Sequence, residues 1–406
     1  MKVKYGMIGA MAALLVSCSG GNSAKKEKGE LDGSPVVAHK VNVDGQDLTV
    51  CELSLLKDSV RLPLSYLAED LQIVKLERGD EALVGNGGVY LSDNYMVISR
   101  SNNIPCKLFG KDGKFIGNIG AIGQGPGEYT MIYDIQIDEA SQRVYLLPWN
   151  ADQILVYNLK GEYEKSIPLN KKYEKLRVPK GVFKVDSKKN QIAVCLLPFD
   201  FLDVVAWVQD MDGNFIHEIP AGHFKVRPDF SNEMLANRST EQLDLNISTF
   251  FELRKDTLYH YDTENNKMLP QFTIDFGGKD IPMHTYFELP RHFMGIVSAS
   301  KEVAEGTFES VDEKAFIVDK ETLKCSYYQV YNDYLGDIPL GIYIGWACRD
   351  GYYAANLEPA AFTEQLEKVL KENTAMDNDM RKKLETLKAS IDEDDNNYIL
   401  FAKLRR

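Results

Sequence analysis

The sequence predicts an all-β protein: a six-bladed β-propeller of four-stranded antiparallel blades. Strands from both termini close the ring, and a small helical insertion interrupts the last blade. Three observations predict it. Short alternating apolar runs, broken by polar turns, dominate the chain. One turn signature recurs about every 50 residues, a period typical of repeated four-stranded units. The residues left over at the two ends make a complete blade only when pooled, which also removes open sheet edges.

The template is residues 129–170. Runs at 134–138, 143–147, 153–157 and 163–169 are four short strands joined by tight turns. The turn between the third and fourth runs is the repeat marker. It reads Lys111-Asp112-Gly113, then Leu159-Lys160-Gly161, then Met211-Asp212-Gly213. Glycine supplies the positive φ of a tight hairpin. Further turns at 263–267 and 319–322 mark two more units, so five blades fall near 86–120, 129–170, 178–222, 244–277 and 290–334. Residues 341–356 supply two strands of a sixth and 397–404 a third. Residues 71–76, from the other end of the chain, supply the fourth. Residues 360–390 break the pattern: Phe362, Leu366, Val369 and Leu370, then Met380, Leu384 and Leu387, have helical spacing. Two inserted helices are expected there, as a packing cap or as a lid or docking element.

The start of the chain is an address. Lys2 and Lys4 precede an apolar run at 7–16, too short to span a bilayer, which ends in Leu15-Val16-Ser17-Cys18. This resembles the bacterial lipobox, whose cysteine receives a diacylglyceryl group. Residues 1–17 are therefore expected to be a lipoprotein signal peptide, and 18–35 a flexible tether from lipidated Cys18. The propeller is expected to fill 36–406. Cys18 anchors the chain to a membrane, stably if it carries more than one acyl chain. Ser19 lacks the aspartate associated with inner-membrane retention, which places the lipoprotein at the outer membrane of the cell envelope, facing either the periplasm or the outside. The formal net charge of -13 argues against nucleic acid as a partner.

The run Ile119-Gly120-Ala121-Ile122-Gly123-Gln124-Gly125-Pro126-Gly127-Glu128-Tyr129 resembles a segment of the 6-bladed β-propeller lipoproteins of Bacteroidetes, distant relatives of NHL-repeat propellers. Leu62-Pro63-Leu64, Asp256-Thr257-Leu258-Tyr259 and Asn396-Asn397-Tyr398-Ile399-Leu400 resemble that family's opening, fourth blade and closing strand. The resemblance covers about residues 55 to 406. It implies a fold and an address and brings no catalytic residues.

The glycine run is neither GxGxxG nor a P-loop, and suits an interblade crossover; Gln124 and Glu128 are candidates to line the channel. Five cysteines remain beside Cys18, namely Cys51, Cys106, Cys195, Cys325 and Cys348. The odd number leaves at least one thiol unpaired, and one disulfide is open to them in an oxidising envelope. His284-x3-Glu288-x3-His292 has metal-ligand residue types, but Pro290 interrupts any shared helical face. No metal site, cofactor or catalytic residue is assigned. The connections holding His223 with Arg227, and Arg291 with His292, mix cation, imidazole and aromatic groups suited to sugar or carboxylate contacts. The candidate ligand-binding set is thus His223, Arg227, His284, Arg291, His292, Gln124 and Glu128. These features predict a monomeric ring acting as a binding module for a glycan, a peptide or an envelope protein. The alternatives are an NHL-like lyase or hydrolase with a channel site, metal-assisted or not, and an assembly role centred on 360–390. The enzyme reading requires the histidines and arginines to converge in one pocket.

Overall fold

The computed structural model describes residues 30–99, 104–173, 176–250, 252–278, 280–304 and 307–406. The expected signal peptide, Cys18 and most of the expected tether lie outside them. Six sheets form a ring. From the inner strand outward, blade one is Gly88–Leu91, Tyr95–Ser99, Cys106–Gly110 and Phe115–Ile119. Blade two is Ile132–Asp138, Arg143–Pro148, Gln153–Asn158 and Tyr163–Pro168. Blade three is Gly181–Asp186, Gln191–Leu196, Val204–Asp210 and Phe215–Pro220. Blade four has Glu233–Leu235, Asp244–Ser248, Thr257–Asp262 and Lys267–Asp275; blade five has Met283–Glu288, His292–Ala304, Thr307–Asp319 and Cys325–Asn332. Blade six pools Cys348–Arg349, Tyr352–Leu357 and Tyr398–Leu404 with Ala68–Lys75 from the other end of the chain. This is the closure expected from the leftover strands.

The expected starts of blades four and five, at 244 and 290, are corrected to Glu233 and Met283. Each had lost its inner strand for a physical reason. Glu233–Leu235 has three residues, too few to show alternation. Met283–Glu288 buries the polar residues His284, Thr285 and Glu288, so its apolar pattern is broken.

The repeat glycines explain the period. Gly113, Gly161 and Gly213 each have φ near +80° and each faces the outer strand of the preceding blade. A Cβ would lie 2.4 Å from the Lys75 carbonyl at Gly113, 2.1 Å from Asn118 at Gly161 and 2.6 Å from Pro168 at Gly213. Their own carbonyls accept from Glu77, Gly120 and Lys171 of the connection that follows each outer strand. The turn that marks the repeat is therefore also the clasp between blades. At the fourth position Asn266 takes over, with φ 52° and its side-chain amide donating to the Glu218 carbonyl of blade three.

The core is six apolar clusters, one at each blade junction. Burying each Leu, Phe or Val there contributes about 1.5–3 kcal/mol before conformational entropy is charged. Helices Pro359–Glu372 and Asn378–Ala389 join the second and third strands of blade six, as the spacing predicted. Phe362, Leu366, Val369 and Leu384 sink into the cluster between blades five and six. Asp377 caps the second helix by accepting from the Asp379 and Met380 amides.

The N-terminal arm holds strands that alternation did not reveal. The hairpin Ala38–Val43 and Gln46–Glu52 extends blade four in parallel with its outer strand. Ser59–Pro63 adds to blade five, again in parallel. With Ala68–Lys75 on blade six, one strap adds an outer strand to each of three successive blades. The ring takes hold of the chain as early as Leu31, within the segment expected to be tether, since Leu31 is buried in the junction of blades five and six.

Candidate functional site

Alternating strand direction sorts the loops onto two faces. The interblade connections and the turns between second and third strands share one face, here the front. The remaining hairpin turns form the back. Short bridges bind the front loops together: Ala151 pairs with Val178 and Phe199 with Val226.

These bridged loops carry aromatic side chains to the surface. Trp149, Phe230, Phe199 and Phe201 form a continuous strip, with ring centroids 6.3, 5.9 and 5.7 Å apart in that order. Phe199 is the buried link of the strip, while Phe201 and Phe230 on either side of it are 67% and 65% exposed. The connection between blades five and six adds exposed Tyr343, while Trp346 lies deeper in the ring, edge-on to Phe287 of the inner strand of blade five. The chain has three tryptophans; Trp207 fills a core, Trp149 stands in the strip, and Trp346 lies in the connection between blades five and six. Exposed aromatics gathered on one face mark a contact surface, because they offer broad apolar area at small entropy cost.

Beneath the strip, charges cross the axis. Lys180 donates to the Phe230 and Asn232 carbonyls at 2.6 and 2.9 Å and pairs with Glu233, which also receives the Tyr133 hydroxyl. Deeper lies a cluster that ties blades two, four and six together. Arg238 Nη1 donates to Asp134 at 2.6 Å, and its Nε to Asp350 at 2.8 Å. Arg349 donates to the other Asp134 oxygen at 2.9 Å and stacks over Tyr90 of blade one. Arg238 also donates to the Phe183 carbonyl of blade three and to that of Ile135. Burial opposes the charged guanidinium of Arg238, but Asp134 and Asp350 outweigh it and hold its pKa well above the ordinary value. The axis beneath the apolar front rim is thus crossed by ion pairs that reach it from back-face turns of blades four and six.

The sequence candidates disperse. Gln124 and Glu128 are exposed in the front connection between blades one and two. Glu128 is occupied locally: its carboxylate accepts from the Gly125 amide at 2.9 Å. The crossover is packed on its other side, where the Tyr129 hydroxyl donates to the Ile119 carbonyl and accepts from the Cys106 amide. His223 and Arg227 are exposed in the front connection between blades three and four, His223 against Phe224. His284 is buried; it donates to the Pro282 carbonyl through Nδ1 and accepts from the Asp256 amide through Nε2. His292 is buried beside Tyr66 and Asp319 near the back, and burial lowers its pKa to about 4 despite the Asp319 charge. Glu288 belongs to a separate group with His260 and Lys320. Arg291 lines a back-face cleft of about 390 Å³ with Glu69, Lys403, Arg405 and Arg406. A second back cleft, of about 300 Å³, is lined by Asp93, Asp138, Glu139 and Asp350. The histidines and arginines proposed for a channel pocket therefore occupy both faces and the interior. Among the described residues, no three His, Cys, Asp or Glu side chains are grouped to hold a metal ion.

Sequence reasoning missed the aromatic strip and the axial cluster. Arg238 lies 104 residues from Asp134. No local pattern links them.

A ring of six four-stranded blades with a closed axis and a decorated face defines the class: a six-bladed β-propeller. Within it, the chain belongs to the family described as domain of unknown function DUF4934, whose profile matches residues 48–403. A protein of Bacteroides fragilis classed as exported has a similar structure, with TM-score 0.52 at 17% identity over 86% of this chain and 99% of that one. That likeness shows the fold. More distant are a DUF4221 member from Bacteroides vulgatus (TM-score 0.40, 10% identity, 84% and 97% covered) and the periplasmic gluconolactonase of Pseudomonas aeruginosa (0.36, 10%, 69% and 90%). No curated protein matches the chain.

Proposed function

We propose that this chain is an envelope binding module, anchored by lipid on Cys18, that takes a glycan, a peptide or an envelope protein on the front face of a monomeric propeller. The aromatic strip of Trp149, Phe230, Phe199 and Phe201 carries the reading. Sugar rings and apolar side chains both stack on such surfaces, and Arg227 and His223 stand in the same connection as Phe230 to supply hydrogen bonds. Bridges between the front loops hold the strip in place, and a preorganised surface loses little in ordering on binding. The lipobox-like start supports the envelope setting, in agreement with a structural neighbour classed as exported.

The binding test compares the chain with a Trp149→Ala/Phe230→Ala double variant, crosslinked in native envelopes and identified by mass spectrometry. The variant should lose the partners that the parent captures. Identical capture by both would sink the front-face reading. The anchor is tested separately: labelled palmitate should enter the parent and not a Cys18→Ala variant.

A further inference from the structure

The N-terminal strap and blade five meet at two thiols. Cys51 is the penultimate residue of the strap strand Gln46–Glu52, and Cys325 begins the outer strand Cys325–Asn332. Both are fully buried in the junction of blades four and five, and their Sγ atoms are 3.9 Å apart. The other three cysteines lie in other junctions: Cys106 between blades one and two, Cys195 between three and four, and Cys348 between five and six. Cys51 and Cys325 are thus the pair in contact among the described residues.

We propose that Cys51 and Cys325 are a disulfide site that staples the strap to the ring. A disulfide needs its sulfurs about 2.05 Å apart, so the pair must close by about 2 Å. Strand pairing already fixes both ends. Cys51 is in register with Ile274 of blade four and Ala38 of the strap, and the Cys325 amide donates to the Pro35 carbonyl at 3.0 Å. The bond would close a span of 274 residues and withdraw that freedom from the unfolded chain. It would also clamp the segment through which an N-terminal anchor pulls on the propeller.

The chemistry is thiol–disulfide exchange. A disulfide-bearing envelope oxidoreductase, or oxidised glutathione in vitro, is attacked by one cysteine thiolate to give a mixed disulfide and one free thiol on the donor. The second cysteine displaces the donor's other sulfur. Two S–H bonds are lost and one S–S bond forms; the two electrons reduce the donor to its dithiol (or to two glutathione thiols), and the two protons leave with them. Contact with the Cys325 thiol and then burial push the Cys51 thiol up, so its thiolate is scarce once the junction is packed. Exchange therefore belongs to the stage before the strap docks.

The setting of this bond rests on the envelope reading above; the pairing does not, and the experiment separates them. The full chain is taken from cells, and a second sample is unfolded and refolded in a glutathione redox buffer. Both are denatured in an alkylating agent without reductant and digested. A crosslinked peptide joining Cys51 to Cys325 is expected in both, with Cys106, Cys195 and Cys348 alkylated. Alkylation of both Cys51 and Cys325 in both samples overturns the proposal. A link formed in glutathione but missing from the cellular sample supports the pairing and overturns the envelope setting. Reductant should lower the unfolding midpoint of the linked protein by on the order of 4 °C. A Cys51→Ala variant should show no response to reductant; the same response from it would also count against the pair.

Discussion

Blades one to three and blades four to six solve the same packing problem differently. In the first half each blade is a hairpin series of four consecutive strands, clasped to its predecessor by a glycine turn. In the second half the glycines give way: Asn266 and Leu323 hold the positive φ at the corresponding turns. Outer edges there are covered by strap strands from the other end of the chain. Blade five carries 13-residue second and third strands, and blade six the helical pair. A local clasp leaves a periodic mark in the sequence. A long-range cover removes the need for one, and so the repeat fades where the strap begins to pair.

The largest expected effect lies where the halves are tied. Asp134→Ala should leave Arg238 and Arg349 without their shared carboxylate and cost about 3–5 kcal/mol in urea unfolding. A cost below about 1 kcal/mol would mean that the two halves do not depend on the axis.

The clasp itself comes next. Gly161→Ala places a Cβ against the Asn118 carbonyl at positive φ and should cost about 2–3 kcal/mol. Asn266→Ala, at the corresponding turn of blade four, loses two side-chain hydrogen bonds, one to the Glu218 carbonyl and one from the Tyr261 hydroxyl, and should cost about 1 kcal/mol. Equal costs would erase the contrast between glycine-clasped and strap-covered blades.

Acid should act on the second half. The buried His284 and His292 both sit in blade five, and burial depresses both. With a folded pKa of about 4 against 6.5 unfolded, His292 binds its proton more readily in the unfolded chain. Stability is therefore full above pH 6.5 and falls as pH drops towards 4, by about 2 kcal/mol between pH 7 and 5. His284 adds to the loss in the same direction. His292→Gln should flatten the slope of unfolding free energy against pH, whatever it does to the value at pH 7. An unchanged slope would remove His292 from the account.

The smallest effect on stability belongs to the front face. Trp149→Ala should change unfolding by no more than about 0.5 kcal/mol, because the side chain is part of the surface strip and closes no core. Its consequence should show in partner capture instead. A large loss of stability would make the strip a structural seam between the loops of blades two and four.

Much of the ring was legible in the sequence. The marker turns at Gly113, Gly161 and Gly213, the runs of blade two and the helical spacing from Phe362 to Leu387 each encode a short-range requirement. A positive φ, a two-residue alternation and a 3.6-residue stripe can all be read within a dozen residues. The inner strands of blades four and five were not legible, since one is three residues long and the other buries polar groups. The site was less legible still. Its histidines and arginines, plausible by composition, are shared among packing positions and two opposite faces.

By itself, the sequence determined the class of fold, the number of blades, the closure by both ends and the lipobox-like start, because each rests on local periodicity or on what is left over at the termini. Only the tertiary structure decided which residues meet. Asp134 finds Arg238 and Arg349, Cys51 finds Cys325, and Trp149 finds Phe230, because ring closure and strand register bring separate blades into contact. Such contacts are products of the closed ring, and no stretch of chain short enough to show a period contains them.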